Sequence, residues 1–344
     1  MREIQVKNRK NFKLPSWLNS PIAFSFIALL LFVILSGIIQ PGYLTSSHIL
    51  TVIQQSAPLI IVTIGQTFVI MSGGIDLSGG AIVIFTDVFC AQIMLGNNSN
   101  FAIAIGLSLL VGAIFGLING FGIELLKLPP LIMTLASSLG IEGLMLLYCG
   151  GFPKGGASPL LKMIGSGKFY GLPISIIVWG GALLLAAFLL KKTKFGWGVS
   201  FNGANRQAAR AMGINTSMVN IMVYVFSGFF AALAGLLVLG FVGIPSLTLG
   251  DDYTMASVAA TVLGGTSFTG GIGSAFGALS GALIMRFMLT LLTAFNISAA
   301  GKDIVQGFII LIVVVLLTLR DKNNFLKFKG KISAFGRKNF SKVR

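Results

Sequence analysis

Five charged side chains lie within or beside long apolar stretches of this sequence: Asp76, Asp87, Glu142, Arg286 and Asp303. Each costs roughly 2.5–3.5 kcal/mol on insertion into hydrocarbon, so we expect each to face the interior of a helix bundle, a partner or water. Side chains in such positions can form an ion relay or line a substrate path. For Arg286 and Glu142 a packing contact or snorkelling is favoured over a direct role.

The residues that catalysis would need are missing from the sequence. His48 is the only histidine, which excludes a histidine-based triad and a two-histidine metal site. Residues 165–169 resemble the end of a phosphate-binding loop, but Lys162 stands where that motif requires glycine and Phe169 stands where it requires a hydroxyl. We therefore expect no catalytic residue, no metal and no cofactor, and we expect any ATP to be bound by another polypeptide.

Asp76 has the most distinctive setting of the charged residues. The pairs Gly73–Gly74 and Gly79–Gly80 flank it, at the point where one apolar stretch ends and the next begins. The chain is therefore expected to leave a helix, turn and enter another helix. Asp76 or Ser78 is expected to cap that second helix by accepting hydrogen bonds from its free amides.

The elements that hold these residues must be membrane helices. Of the 344 residues 55% are hydrophobic and 10% are charged, against roughly 25% charged in an ordinary soluble chain, and the mean hydropathy is +0.92. No Asp, Glu, Lys or Arg occurs from Leu14 to Ile75. A soluble fold is excluded, and the sequence predicts an all-α, polytopic membrane helix bundle.

About ten transmembrane segments are predicted from the apolar stretches between charges and turn residues. The approximate spans are 22–39, 53–72, 77–95, 101–123, 130–148, 174–190, 217–240, 254–264, 274–295 and 303–319. The eighth span falls well short of the ~20 residues that cross hydrocarbon. A tilted span, a broken helix and a re-entrant segment all fit its length.

The net charge of +16 reports membrane topology. With ten crossings and a cytoplasmic N-terminus, the inside stretches hold 20 of the 25 basic residues and the outside loops hold four. This asymmetry follows the positive-inside rule and places both termini in the cytoplasm. The chain then divides into a basic N-terminus at 1–21, a transmembrane domain at 22–319 with an internal loop at 191–216, and a basic tail at 320–344. The tail suits anionic lipid headgroups of the bilayer, and no nucleic-acid partner is expected.

Glycines indicate close helix packing. Two triplets recur at four-residue spacing, Gly112/Gly116/Gly120 and Gly273/Gly277/Gly281, which puts each triplet on one helix face where backbones can approach. The local patterns of the triplets match at an offset of 161 residues. The match fits two structurally related halves, and chance recurrence in a glycine-rich chain explains it nearly as well.

The internal loop at 191–216 contains helix signals. Asn202 or Asn205 can cap a helix, residues 207–212 are good helix formers, and Gly213 can end it. A short helix edged with arginines suits docking into a groove on a cytoplasmic partner. A solvated loop at the lipid surface fits the same spacing equally well.

Three sequence elements occur in an order that resembles a known family. They are residues 65–80, with the glycine pairs around Asp76; residues 203–214, with Gly203, Asn205, Ala208, Ala209 and Gly213; and residues 259–273, a run rich in glycine. Together they resemble the membrane permease subunit of bacterial ABC importers for simple sugars, the ribose-type permeases. The similarity covers most of residues 20–320.

The resemblance implies a multi-pass subunit of the bacterial cell (inner) membrane that translocates a ribose-like monosaccharide by alternating access. It implies a homodimer or a pair of related permeases, a separate cytoplasmic ATPase subunit and an extracytoplasmic sugar-binding protein. Residues 203–213 would be the helix that couples the permease to the ATPase. Candidate residues of the translocation path are Gln66, Gly73, Gly74, Asp76, Ser78, Asn119 and Thr134.

A second hypothesis is an ion-coupled secondary transporter. Asp87, Glu142 or Arg286 would then act as a relay, and the glycine-rich breaks at 73–80 and 264–273 would be interruptions in discontinuous helices. An integral-membrane enzyme is disfavoured because the constellations described above are missing.

Overall fold

A computed structural model describes residues 21–40 and 42–320, with the backbone alone described at Pro21 and at 313–320. The predicted N-terminal segment at 1–21, except Pro21, and the tail at 320–344, except Arg320, lie outside the described residues. Thirteen α-helices are present in the described part. They are α1 (Pro21–Ile39), α2 (Ser46–Met71), α3 (Gly79–Met94), α4 (Phe101–Glu124), α5 (Pro130–Cys149), α6 (Pro159–Ser166), α7 (Ser175–Lys192), α8 (Lys194–Ala204), α9 (Arg206–Ala211), α10 (Thr216–Val242), α11 (Asp251–Leu263), α12 (Ala275–Ala294) and α13 (Ala299–Arg320).

The loop between α5 and α7 holds α6 and a β-hairpin, neither of which was predicted. Strands β1 (Lys168–Phe169) and β2 (Leu172–Pro173) are antiparallel, with Lys168 opposite Pro173 and Phe169 opposite Leu172. Tyr170 and Gly171 form the two-residue turn, and both have positive φ, which matches the right-handed twist of a tight hairpin. A short 3₁₀ helix at Asn98–Asn100 precedes α4.

Each of the ten predicted spans corresponds to a helix, and seven of those helices are long and apolar enough to cross a membrane within the described residues: α1, α2, α4, α5, α7, α10 and α12. The other three predicted spans are α3, α11 and α13. Helix α3 has 16 residues and α11 has 13, which at 1.5 Å per residue makes α11 about 20 Å long against a hydrocarbon thickness of ~30 Å. The shortness predicted for the eighth span is confirmed, because α11 stops at Leu263 and α12 begins only at Ala275. The prediction of an all-α polytopic bundle is confirmed. Seven helices of the described residues qualify as membrane spans, so the predicted number of ten spans is not confirmed.

Helices α2 and α10 form the centre of the bundle. Tyr224 and Phe230 of α10 and Phe68 of α2 are completely buried, and the rings of Phe68 and Phe230 stack with centroids 6.2 Å apart. Around this pair lie α3, α4, α7, α11 and α12. Helices α1 and α5 present apolar side chains outward, as lipid-facing helices do.

The predicted glycine packing is confirmed for the first triplet and for Gly277 and Gly281 of the second, whereas Gly273 precedes α12 and is not on that helix face. A Cβ at Gly120 would come 2.8 Å from Ile221 Cα of α10, and Gly112 and Gly116 touch the same helix equally closely. Gly277 and Gly281 lie against the backbone of α11, whereas Gly273 lies against the Met71 side chain. Close backbone approach at these positions needs glycine, and it accounts for the tight α4–α10 and α11–α12 crossings.

The bundle has two distinguishable ends. At the hairpin end, Gln54 near the start of α2 donates to the carbonyl oxygen of Gly165, just before the hairpin. At the α8–α9 end, where α2 finishes, the backbone of Gly203 packs directly on the carbonyl oxygen of Met71. We call them the hairpin end and the α8–α9 end.

Candidate functional site

The helical structure is interrupted between α2 and α3, as the glycine pairs predicted. We call residues 72–78 the break. Helix α2 ends where the amide of Ser72 donates to the carbonyl oxygens of Phe68 and Val69, and Gly73 then takes φ +88°, a left-handed conformation that glycine adopts without strain. Helix α3 begins at Gly79.

Asp76 is the centre of a buried hydrogen-bond network at the break. Its Oδ1 accepts from the backbone amide of Ser78 at 2.9 Å and from the Ser78 hydroxyl at 2.6 Å. Its Oδ2 accepts from the Ser227 hydroxyl of α10 at 2.7 Å. Asp76 is 1% exposed, so these donors take the place of water around the carboxylate.

The capping role predicted for Ser78 is wrong, whereas Asp76 accepts from the backbone amide of Ser78, the N-cap residue of α3. Ser78 occupies the N-cap position of α3, but its side chain makes no capping bond. Its hydroxyl instead donates to Asp76 and accepts from Asn119 Nδ2 of α4 at 2.9 Å. The second carboxylate oxygen of Asp76 reaches across the break to the Ser227 hydroxyl of α10.

The structure brings several of the path candidates together. Asp76, Ser78 and Asn119 share one network, and Thr134 of α5 accepts from the backbone amide of Leu77 at 3.1 Å. All four candidates are buried. Helices α4, α5 and α10 therefore hold the break in place through polar contacts.

The remaining path candidates lie elsewhere. Gln66 is buried on α2, and its Nε2 has no hydrogen-bond partner among the described residues. Gly73 and Gly74 line an open groove at the α8–α9 end together with Gly203 and Asn205. The break thus has a buried side facing α10 and a second side open toward α8 and α9.

The helix predicted in the internal loop is present as α9. Asn205 caps it, because its Oδ1 accepts from the amide of Ala208 at 3.0 Å, and Gly213 follows it with φ +81°. Asn202, the other cap candidate, lies inside α8, a helix that was not predicted. Ala209 is fully buried, whereas Ala208 is exposed.

The three sequence elements that suggested a family meet at the α8–α9 end. Gly203 at the end of α8 touches Met71 at the end of α2 and Gly271 in the loop before α12. The amide of Gly271 donates to the carbonyl oxygen of Met71 at 2.8 Å. The glycines at these positions are explained by three backbone segments crossing with no room for side chains.

An ion pair that the sequence analysis missed links α9 to the break. Arg206 at the start of α9 donates through Nη2 to both carboxylate oxygens of Glu124, at 2.7 and 2.5 Å. Asn220 of α10 donates to Glu124 Oε1 at 2.6 Å, and its own Oδ1 accepts from the Ser72 hydroxyl at 3.2 Å. We call Ser72, Glu124, Arg206 and Asn220 the Glu124 network.

A sequence signal for Glu124 does exist. Between residues 40 and 319, Asp76 and Glu124 are the only acidic residues in the predicted inside stretches, where basic residues predominate. An acidic residue there, at the end of a span, needs a partner. Its partner could not be read from the sequence because Arg206 is 82 residues away.

The three relay candidates do not bond to one another. Asp87 accepts from the amide of Ser246 at 2.8 Å, and Glu142 accepts from the hydroxyl of Ser138 on its own helix at 3.2 Å. Arg286 donates to Gln55 Oε1 at 2.9 Å. Each of the three side chains therefore has its own hydrogen-bond partner. The described residues hold no group of three or more His, Cys, Asp or Glu that could bind a metal ion.

Comparison with known proteins identifies the family. Residues 48–314 match the family model described as the branched-chain amino acid transport system/permease component. The chain belongs to this permease family. It is therefore a multi-pass transport component and not an enzyme, which confirms the sequence prediction.

Curated relatives agree with the resemblance to ribose-type permeases. The ribose import permease protein RbsC of Bacillus subtilis is 36% identical over 85% of this chain and 91% of its own length, and that of Haemophilus influenzae is 32% identical over the same shares. The autoinducer 2 import system permease protein LsrC of Salmonella paratyphi B is 33% identical over 86% of each chain. No solved structure gives a significant match.

Proposed function

We propose that this chain is the transmembrane permease subunit of an ATP-binding-cassette importer that moves a ribose-like monosaccharide by alternating access. A separate cytoplasmic ATPase would supply the energy. The observation that carries the proposal is the continuous path of hydrogen bonds from Arg206 on α9, through Glu124 and Asn220, to Ser72 at the break. A movement imposed on α9 would reach the interrupted helices without passing through flexible loops.

The proposal places the α8–α9 end in the cytoplasm. Six basic residues of the described chain lie at that end: Lys127, Lys191, Lys192, Lys194, Arg206 and Arg210. The hairpin end has four: Lys154, Lys162 and Lys168 in the loop, and Lys302 at the start of α13. This distribution supports the positive-inside orientation, with the ATPase at the α8–α9 end and a sugar-binding protein at the hairpin end.

Residues 203–213 would couple the permease to the ATPase. Ala208 would face the partner because it is exposed on α9, whereas the buried Ala209 would fix α9 against the bundle. Asn205 and Gly213 would set the two ends of the helix. Gly203 would transmit its position to Met71 through direct backbone contact.

The buried path candidates would form the closing element of the translocation path. Ser78 bonds to Asp76 and to Asn119 of α4, and Asp76 bonds to Ser227 of α10, so the path would open when the break moves away from α4 and α10 and these bonds break. A second permease copy or a related permease would complete the path. The apolar outer faces of α1 and α5 suit either lipid or that partner.

The proposal is tested by measuring what drives uptake. Cells that express the chain with its ATPase and binding protein are expected to take up labelled D-ribose, and deletion of the ATPase should abolish this uptake. D-Ribose is the first substrate to test because several relatives are named as ribose import permeases, and autoinducer 2 is the second. Uptake that persists without the ATPase and collapses with a protonophore would refute the proposal and favour the ion-coupled transporter.

A further inference from the structure

A cavity lined by both polar and apolar side chains opens at the hairpin end, away from the break. Helices α2, α7, α10, α11 and α12 enclose it, and its volume is about 180 Å³. Ala57, Ser175 and Ala256 lie at its floor and are each 1% exposed, whereas Leu249 and Asp252 at its mouth are exposed. No residue of the break lines it.

Polar groups in the lining have unused hydrogen-bonding capacity. Arg286 donates through Nη2 to Gln55 Oε1 at 2.9 Å, but its Nε is buried and has no hydrogen-bond partner among the described residues. The Ser175 hydroxyl is likewise buried and without a partner there. A buried polar atom left unpaired is costly, so these two atoms indicate a polar ligand.

The charge and shape of the lining narrow the class of ligand. Arg286 and Asp252 contribute one charge of each sign, so the lining has no net charge to select an anion or a cation. The side chains of Leu237 and Phe241 form an apolar part of the cavity wall. The volume lies below the roughly 300–1,000 Å³ of sites for drug-sized ligands, so a larger oligosaccharide does not fit.

We propose that this cavity binds a neutral polyhydroxylated solute of monosaccharide size, with Gln55, Ser175 and Arg286 as its hydrogen-bonding residues. Hydroxyls of the solute would form hydrogen bonds with these polar groups. The apolar C–H face of the sugar ring would pack against Leu237 and Phe241. The inference rests on the proposed function, under which the mouth faces outside the cell. The cavity would then be the first site that the solute occupies after release from the binding protein.

The first test measures protection of a thiol in the cavity. Ser175→Cys is introduced into the full chain in its complex, and labelling by a charged methanethiosulfonate added from the outside is followed with and without D-ribose. At twice the dissociation constant, D-ribose should slow labelling about threefold and leave Lys168→Cys on the exposed hairpin unchanged. The unsubstituted chain, with buried Cys90 and Cys149, gives the background. Failure of the reagent to label Ser175→Cys, or labelling that D-ribose does not slow, would overturn the proposal.

The second test measures transport and does not depend on the cysteine variant. Gln55→Leu should lower the maximal rate of D-ribose uptake about 3- to 10-fold, the effect of losing one hydrogen bond. Gln92→Leu is the matched control, because Gln92 is also partly buried but lies on α3 outside the cavity. ATP-dependent uptake that is unaffected by Gln55→Leu would overturn the cavity site and leave the proposed function standing. Protection of Ser175→Cys in a complex whose uptake needs no ATPase would support the site and refute the proposed function.

Discussion

Removal of the Arg206 side chain is expected to disconnect α9 from the break. The side chain of Glu124 is 1% exposed and that of Arg206 is 39% exposed, so Arg206→Ala leaves a buried carboxylate with the Asn220 amide and the Ser217 hydroxyl as its remaining donors. Breaking a fully buried ion pair from one side costs about 3–5 kcal/mol. Because solvent reaches Arg206 and can partly replace it, we expect a loss of about 1–3 kcal/mol in the free energy of unfolding.

The assay combines stability with coupling. The thermal midpoint of the purified chain should fall in Arg206→Ala and recover in the double variant Arg206→Ala/Glu124→Gln, which removes both charges and keeps an acceptor for Asn220. The ratio of sugar transported to ATP hydrolysed should fall in both variants, because both lose the link to α9. Arg210→Ala is the control: Arg210 lies on the same helix but, within residues 21–40 and 42–320, bonds only to the Thr216 hydroxyl. A midpoint and a coupling ratio for Arg206→Ala equal to those of Arg210→Ala would refute the reasoning.

Two further predictions concern the core. Gly116→Leu should prevent folding, because a Cβ at this position would overlap the backbone of Tyr224 on α10. Gly106→Leu on the same helix is the control, since a Cβ there meets open space and the variant should fold. Size-exclusion profiles of fluorescent fusions compare the two variants. Equal monodisperse yields would contradict the packing. Ser227→Ala should destabilise the chain by about 1.5–3 kcal/mol, since it removes the donor to Oδ2 of the buried Asp76 carboxylate, and an unchanged thermal midpoint would show that the bond contributes little.

The sequence predicted the features that local patterns determine. Apolar length and charge located the ten segments, and glycine spacing predicted close backbone packing on one face of α4. Asn205, one of two cap candidates, and Gly213 predicted the ends of α9. The shortness of α11 was also readable, because it depends only on the length of one apolar stretch.

Features that depend on tertiary contacts were not predicted. The capping role predicted for Ser78 failed because its hydroxyl bonds to Asp76 and to Asn119, 41 residues away. The bond from Ser227, 151 residues away, to Asp76 was not predicted either. Arg206 and Glu124 were both visible as charged residues, but nothing local pairs them. The cavity likewise joins Gln55, Ser175 and Arg286 from three separate helices. Arg286 stood out as a charge in an apolar stretch, but nothing local connects it to Gln55 or Ser175.

The central claim is that the α8–α9 end receives the ATPase, and site-specific crosslinking tests it most directly. Ala208→Cys on α9 and Tyr170→Cys on the hairpin are each labelled with a short photocrosslinker in the assembled complex. Both positions are exposed, and they lie at opposite ends of the bundle. We expect crosslinks to the ATPase from position 208 and none from position 170. Crosslinks to the ATPase from position 170, or their absence at 208 in a complex that transports, would contradict the claim.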